Sequence, residues 1–132
     1  MKREIIETDK APRLPLPFSQ AVRMGNLVFV SGQGPIDPIT HQVKGDIKAQ
    51  TERMLENIKA ILGAAGTDLK NVVSTTVYLT DLQNFEGMNE VYRKYFPKEP
   101  PPRATVQAGL LRGMLVEMQC VAAIPELLSS RG

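Results

Sequence analysis

The stretch PPPRATVQAGLLRGMLVEMQ, residues 100 to 119, decides the reading of this chain, because its alternation places one arginine and one glutamate on β-strands. At period two, Arg103, Thr105 and Gln107 share one face of a first strand, with Ala104, Val106 and Ala108 on the other. A second strand puts Val116, Met118, Cys120 and Ala122 on an apolar face and Leu115, Glu117, Gln119 and Val121 opposite. Leu111-Arg112-Gly113 supplies turn chemistry between the two, so a hairpin is the simplest connection. A turn centred on Leu111 sets Thr105 opposite Glu117 and Arg103 opposite Gln119. Arg103 and Glu117 then become diagonal neighbours on one face, roughly 7–8 Å apart, with room for a water or a small molecule between their heads.

Pro100, Pro101 and Pro102 cannot donate ladder hydrogen bonds, so they stiffen the approach and deliver Arg103 at the start of its strand. A guanidinium there suits a carboxylate, which its planar fork holds through two parallel hydrogen bonds. The same pattern also fits a solvated Arg–Glu cross-strand pair, a contact of little energetic weight.

The chain has 132 residues, 42% hydrophobic and 23% charged, which fits one domain over residues 1–132. Its net charge of +2 comes from 16 basic and 14 acidic residues spread along the chain, so no nucleic-acid arm is expected. No apolar segment approaches the ~20 residues needed to span a bilayer, and MKREIIETDK is too charged for a signal peptide; a cytoplasmic location is the expectation. Cys120, the single cysteine, falls on an apolar face and reads as core packing. His41, the single histidine, has no companion ligand in sequence, so no metal site is expected.

Further upstream, Glu4-Ile5-Ile6 reads as an edge strand, and Phe18 to Val22 and Leu27 to Ser31 as a hairpin about Met24-Gly25-Asn26. Ser31-Gly32-Gln33-Gly34 is either a plain strand terminus or a loop whose backbone approaches a ligand. Asp46 caps a helix running to about Ala65 and stopping at Gly66, with Met54, Leu55, Ile58, Ile61 and Leu62 on its core stripe. Asn71 to Thr80 is a β-prone run. Asp81 or Asn84 caps a second helix to about Phe96, with Phe85, Met88, Tyr92, Tyr95 and Phe96 as its stripe and Asn89 at the margin, able to reach solvent or a site. The order strand, strand, strand, helix, strand, helix, strand, strand predicts an α+β sheet with both helices on one face. The other face, carrying Arg103, Thr105, Gln107, Glu117 and Gln119 among Leu115 and Val121, reads as a subunit interface containing a polar pocket.

With these residues in place, the chain resembles the RidA/YjgF family, also called endoribonuclease L-PSP. Pro17-Phe18-Ser19-Gln20-Ala21, Gly25 and Phe29-Val30-Ser31-Gly32-Gln33 look like its N-terminal signature. Gly45-Asp46, Gln50, Asn57-Ile58, Val77-Tyr78-Leu79, Asn89 and Tyr92 follow its middle pattern, and Pro102-Arg103 with Val116-Glu117-Met118 its C-terminal one. The resemblance implies a chorismate-mutase-like α+β subunit, a homotrimer with clefts between subunits, no cofactor, and hydrolysis of 2-iminobutanoate and 2-iminopropanoate to 2-oxo acids and ammonia. By the same resemblance Arg103 holds the substrate carboxylate and Glu117 activates water, while Phe18, Ser31, Gly32, Asn89 and Thr105 line the cleft. Phe18 stands where the family often has tyrosine, and Thr105 where it commonly has cysteine. Two alternatives remain open at this level: a non-catalytic carboxylate-binding or chaperone-like trimer, and a ribonuclease or translation inhibitor, which the lone histidine and dispersed charge support poorly.

Overall fold

A computed structural model describes residues 2–125. Strand β1 (Arg3–Ile6) leads into the antiparallel hairpin β2 (Ala21–Met24) and β3 (Leu27–Gln33), which turns at Gly25 with φ +63°. Helix α1 (Ile47–Ala64) begins where the Asp46 carboxylate accepts the Ala49 N–H at 2.9 Å and ends before Gly66, whose φ of +86° suits a residue without a Cβ. Strand β4 (Val72–Leu79) follows. Asp81 caps a short 3-10 turn, Leu82–Asn84, which passes into helix α2 (Phe85–Tyr95), while Asn84 makes no capping bond; Asp81 is thus the cap of the pair. Strands β5 (Arg103–Gln107) and β6 (Val116–Ala123) complete the element order expected from the sequence.

The six strands form one sheet in the order β1-β2-β3-β6-β4-β5. Helix α1 lies on β3 and β6, and α2 lies beside α1. Fully buried Leu55, Ile58, Ile61 and Leu62 meet Val28, Val77, Met118 and Ala122 of the sheet, so each element contributes its apolar stripe to one core. Cys120 belongs to that core. Among the described residues no helix is long and apolar enough to cross a membrane.

The expected β5–β6 hairpin does not form. Strand β4 lies between the two, parallel to β5 and antiparallel to β6. The reason is the helix: β4, α2 and β5 make a crossover unit, and a strand–helix–strand connection returns parallel to its first strand. Residues 108–115 then step over β4 rather than turning back beside β5; Arg112 and Gly113, at φ +58° and +71°, form their turn within that crossing.

This order corrects the faces as well. Arg103 pairs with Thr75, and Thr75 with Cys120, while Glu117 pairs with Tyr78. Thr75 and Tyr78 are three residues apart on β4, and side chains alternate along a strand, so Arg103 and Glu117 project from opposite faces. Arg103 and Thr105 lie on the helix side. The open face instead carries Phe29, Ala104, Val106, Tyr78, Glu117, Gln119 and Val121, and it leaves Phe29 46% and Val106 41% exposed.

Candidate functional site

The sequence-predicted residues fall into two groups, one on each side of the sheet. On the helix side, edge strand β5 carries Arg103 beneath the first turns of α2. Its Cζ lies 4.7 Å from the Tyr92 ring centroid and 5.5 Å from that of Phe85, and Nη1 is 4.0 Å from the Met88 sulfur. Among the described residues Arg103 makes no salt bridge. Asn89, one position from Met88 on α2, is 8% exposed. It joins Tyr92, Phe96, Pro100 and Arg103 in lining a cleft of about 290 Å³. Pro100 and Pro101 of the proline run line that cleft ahead of Arg103. Thr105, two positions along, is half-buried on the same face.

On the open side, Glu117 sits half-buried beside the end of β3. The β3–β6 register runs from Val30–Cys120 to Gln33–Met118, so three steps on β3 match two on β6 and Ser31-Gly32 form a bulge. The bulge turns Gly32 towards Glu117, where a Cβ would overlap the Oε2 oxygen. The carboxylate lies against bare backbone, so the glycine is required for its approach. Burial pushes the Glu117 carboxyl above its ordinary range, and among the described residues it accepts no hydrogen bond that would pull it down.

Ser31 is engaged structurally. Its N–H and its hydroxyl both donate to the Gln20 carbonyl at 3.0 Å, and Gln33 Nε2 donates to its Oγ at 3.0 Å. Gln20 in turn is buried and donates to the Pro12 carbonyl at 2.9 Å, fixing the segment that leads to Phe18. Phe18 is 52% exposed at the rim of a depression of about 440 Å³ that also includes Val22, Phe29 and Ser31. One chain therefore brings Phe18, Ser31, Gly32 and Glu117 to one side, and Asn89, Arg103 and Thr105 to the other. His41 is exposed just after a turn and lines neither of these clefts.

The sequence reading assigned Phe85, Met88 and Tyr92 to a core stripe without a role. All three touch Arg103. A usable signal was the tyrosine itself, since a buried phenol requires a partner for its hydroxyl. Thr75 supplies it, with Oγ1 and the Tyr92 oxygen 2.9 Å apart. A depression of about 560 Å³ between Thr8, Lys10 and the α1 residues Arg53, Glu56 and Lys59 includes none of these groups. Among the described residues no three His, Cys, Asp or Glu side chains cluster as metal ligands.

The sequence profile described as Endoribonuclease L-PSP matches residues 8–124. A RutC family protein of Pyrococcus abyssi is 52% identical over 124 residues, covering 92% of this chain and 98% of the relative. The mouse protein named 2-iminobutanoate/2-iminopropanoate deaminase is 43% identical over 122 residues, covering 91% and 90%. The crystal structure of RidA from an Antarctic Psychrobacter superposes with a TM-score of 0.89 at 44% identity, covering 92% of this chain and 99% of that one. The profile spans both groups of site residues, from the segment before Phe18 to the end of β6, and the chain belongs to the endoribonuclease L-PSP family, also called RidA/YjgF.

Proposed function

We propose that the protein hydrolyses 2-imino acids such as 2-iminobutanoate and 2-iminopropanoate to 2-oxo acids and ammonia, in a cleft assembled from two copies of the chain within a homotrimer. One observation carries the reading: Arg103 and Glu117, each unpaired among the described residues, project from opposite faces of the sheet. A cation and a carboxylate left without partners at half-buried positions are costly unless a ligand or a neighbour meets them. Within one subunit they cannot meet the same small molecule. Laying the α2–β5 edge of one copy on the open face of the next brings Arg103 to Glu117 and covers Phe29 and Val106, whose exposure otherwise stands unexplained.

The chemistry fits the two groups. The guanidinium holds the imino acid's carboxylate through its fork, which leaves C2 of the C=N bond facing the neighbour's Glu117. Glu117 takes a proton from water as the oxygen adds to C2 and passes it to nitrogen, giving a carbinolamine. It then carries the new hydroxyl proton to the same nitrogen as the C–N bond breaks, so that NH3 leaves and the oxygen becomes the carbonyl of the 2-oxo acid. Its raised proton affinity suits both transfers, since an acid–base group works best with a pKa near the working pH. Imine hydrolysis proceeds in water unaided, so positioning and proton transfer worth roughly 10²–10⁴-fold suffice without a covalent intermediate. The mouse relative's name supports the substrate class.

The test generates 2-iminobutanoate with a threonine dehydratase and follows its decay. The wild-type protein accelerates that decay, and Arg103→Ala lowers kcat/KM about 10²-fold. Undiminished activity in Arg103→Ala would remove the assignment.

A further inference from the structure

Arg103 belongs to an edge strand, where a long flexible side chain ordinarily samples many rotamers. Here it is enclosed. Tyr92 and Phe85 lie at 4.7 and 5.5 Å from Cζ, and the Met88 sulfur is 4.0 Å from Nη1. The tyrosine is itself fixed: its ring stacks obliquely on Phe96 at 4.6 Å between centroids, and its hydroxyl meets Thr75 Oγ1 at 2.9 Å in a buried contact. Thr75 pairs with Arg103 in the β4–β5 ladder, and its N–H donates to the Pro102 carbonyl at 3.1 Å. Helix and strand are thereby locked at the row that carries the guanidinium. Tyr92 and Thr75 are 5% and 3% exposed, so neither touches bulk water appreciably.

We infer that Tyr92, anchored by Thr75, acts with Phe85 as a clamp that positions the Arg103 guanidinium for in-plane binding of a ligand carboxylate. The inference rests on the carboxylate-binding role given to Arg103 above and adds residues that act through the arginine. The rings offer π-faces, which attract a cation without consuming its N–H donors. A carboxylate partner in their place would occupy the fork. The clamp therefore restrains the side chain before the ligand arrives, which cuts the ordering cost of binding, and leaves the donors free for two parallel hydrogen bonds. The Thr75 contact sets where the Tyr92 ring stands, so losing the phenol oxygen loosens the ring and, through it, the arginine.

The test uses the full chain and reads two quantities in wild type, Tyr92→Phe and Phe85→Leu. The first is the 15N heteronuclear NOE of the Arg103 Nε–Hε group. The second is the affinity for 2-oxobutanoate, a stable carboxylate. Arg103 in the wild type is expected to be as rigid as the backbone, and both variants to lower its NOE. Carboxylate affinity is then expected to fall about 3- to 10-fold, with turnover of saturating imine changed less than about 2-fold. An imine lacking the carboxylate is expected to show no difference between the variants and wild type, a pattern that a general loss of structure would not produce. Phe85, 36% exposed, provides a substitution that folds even where the buried tyrosine does not tolerate change. A wild-type Arg103 as mobile as an exposed arginine, or folded variants with unchanged affinity, would overturn the clamp. A rigid Arg103 that binds carboxylate in a protein that hydrolyses no imine would uphold the clamp and remove only the deaminase reading.

Discussion

Arg103 pairs with Thr75 and Glu117 with Tyr78, three residues further along the same strand, so the two groups stand on opposite faces of the sheet and roughly 10 Å apart along it. The odd spacing keeps one small molecule from meeting both groups within one subunit, so the proposed chemistry depends on assembly. Each half keeps its reactive group unpaired, with aromatic rings around the cation and bare backbone beside the carboxylate.

Glu117 ties activity and stability to pH with opposite signs. Burial raises its pKa above the ordinary 4.5, so between that value and the raised one the folded chain binds more protons than the unfolded chain. Stability therefore falls as pH rises through that window and stays lowered above it. Activity rises across the same window as the carboxylate ionises to accept the water's proton. Glu117→Gln is expected to flatten this part of the stability profile, raise Tm at neutral pH and lower kcat about 10²-fold. Thermal melts across acidic to neutral pH, paired with imine-decay rates, check both; a variant that keeps the wild-type kcat would exclude the proton-transfer role.

Gly32→Ala separates packing from catalysis. The new methyl would overlap Glu117 Oε2, the mobile end of a half-buried side chain, so the carboxylate moves aside rather than the backbone. A displacement of about 1 Å is worth up to about 10²-fold in rate. The expected result is kcat down about 10- to 100-fold with little change in carboxylate affinity, because Arg103 is untouched. Equal loss of affinity would show that Gly32 serves the sheet rather than the glutamate.

Cys120 is expected to be silent. Burial pushes its thiol up to about 12, and it is 4% exposed in the core row beside Thr75. The reactive species is the thiolate. A thiol reagent should leave the native protein unlabelled over the time in which the denatured chain is fully titrated. Rapid native labelling coupled to loss of activity would contradict its assignment to the core.

Most of the fold was legible because local rules agree with the tertiary structure. The Asp46 cap, the α1 stripe from Met54 to Leu62, the Gly25 turn and the β-prone run at β4 all stand where the residues point. Strand adjacency was not legible in the same way. Arg103-Ala104-Thr105 and Val116-Glu117-Met118 carry their own alternation but nothing that names their neighbour, and the hairpin reading took the shortest connection. The overlooked signal was α2 itself, which makes β4 and β5 a parallel crossover pair. That one error placed Arg103 and Glu117 on a common face. The choice of both residues as candidates does not depend on that pairing, because it rests on chemistry and position within each strand. The marginal place of Asn89 on the stripe fits either solvent or a site; the folded chain buries it to 8% exposure beside Arg103. The Tyr92–Thr75 contact was out of reach, since it joins a helix to a strand whose register depends on the crossover.

The most direct measurement mixes two inactive chains. Arg103→Ala and Glu117→Gln subunits, each expected to be nearly inert alone, are unfolded together, refolded and assayed for 2-iminobutanoate hydrolysis. If each site takes Arg103 from one copy and Glu117 from its neighbour, random assembly restores both groups at about a quarter of the sites, and activity returns to about that fraction of wild type. If both groups act from the same subunit, every chain in the mixture carries a defect, and the mixture stays as inert as its parts.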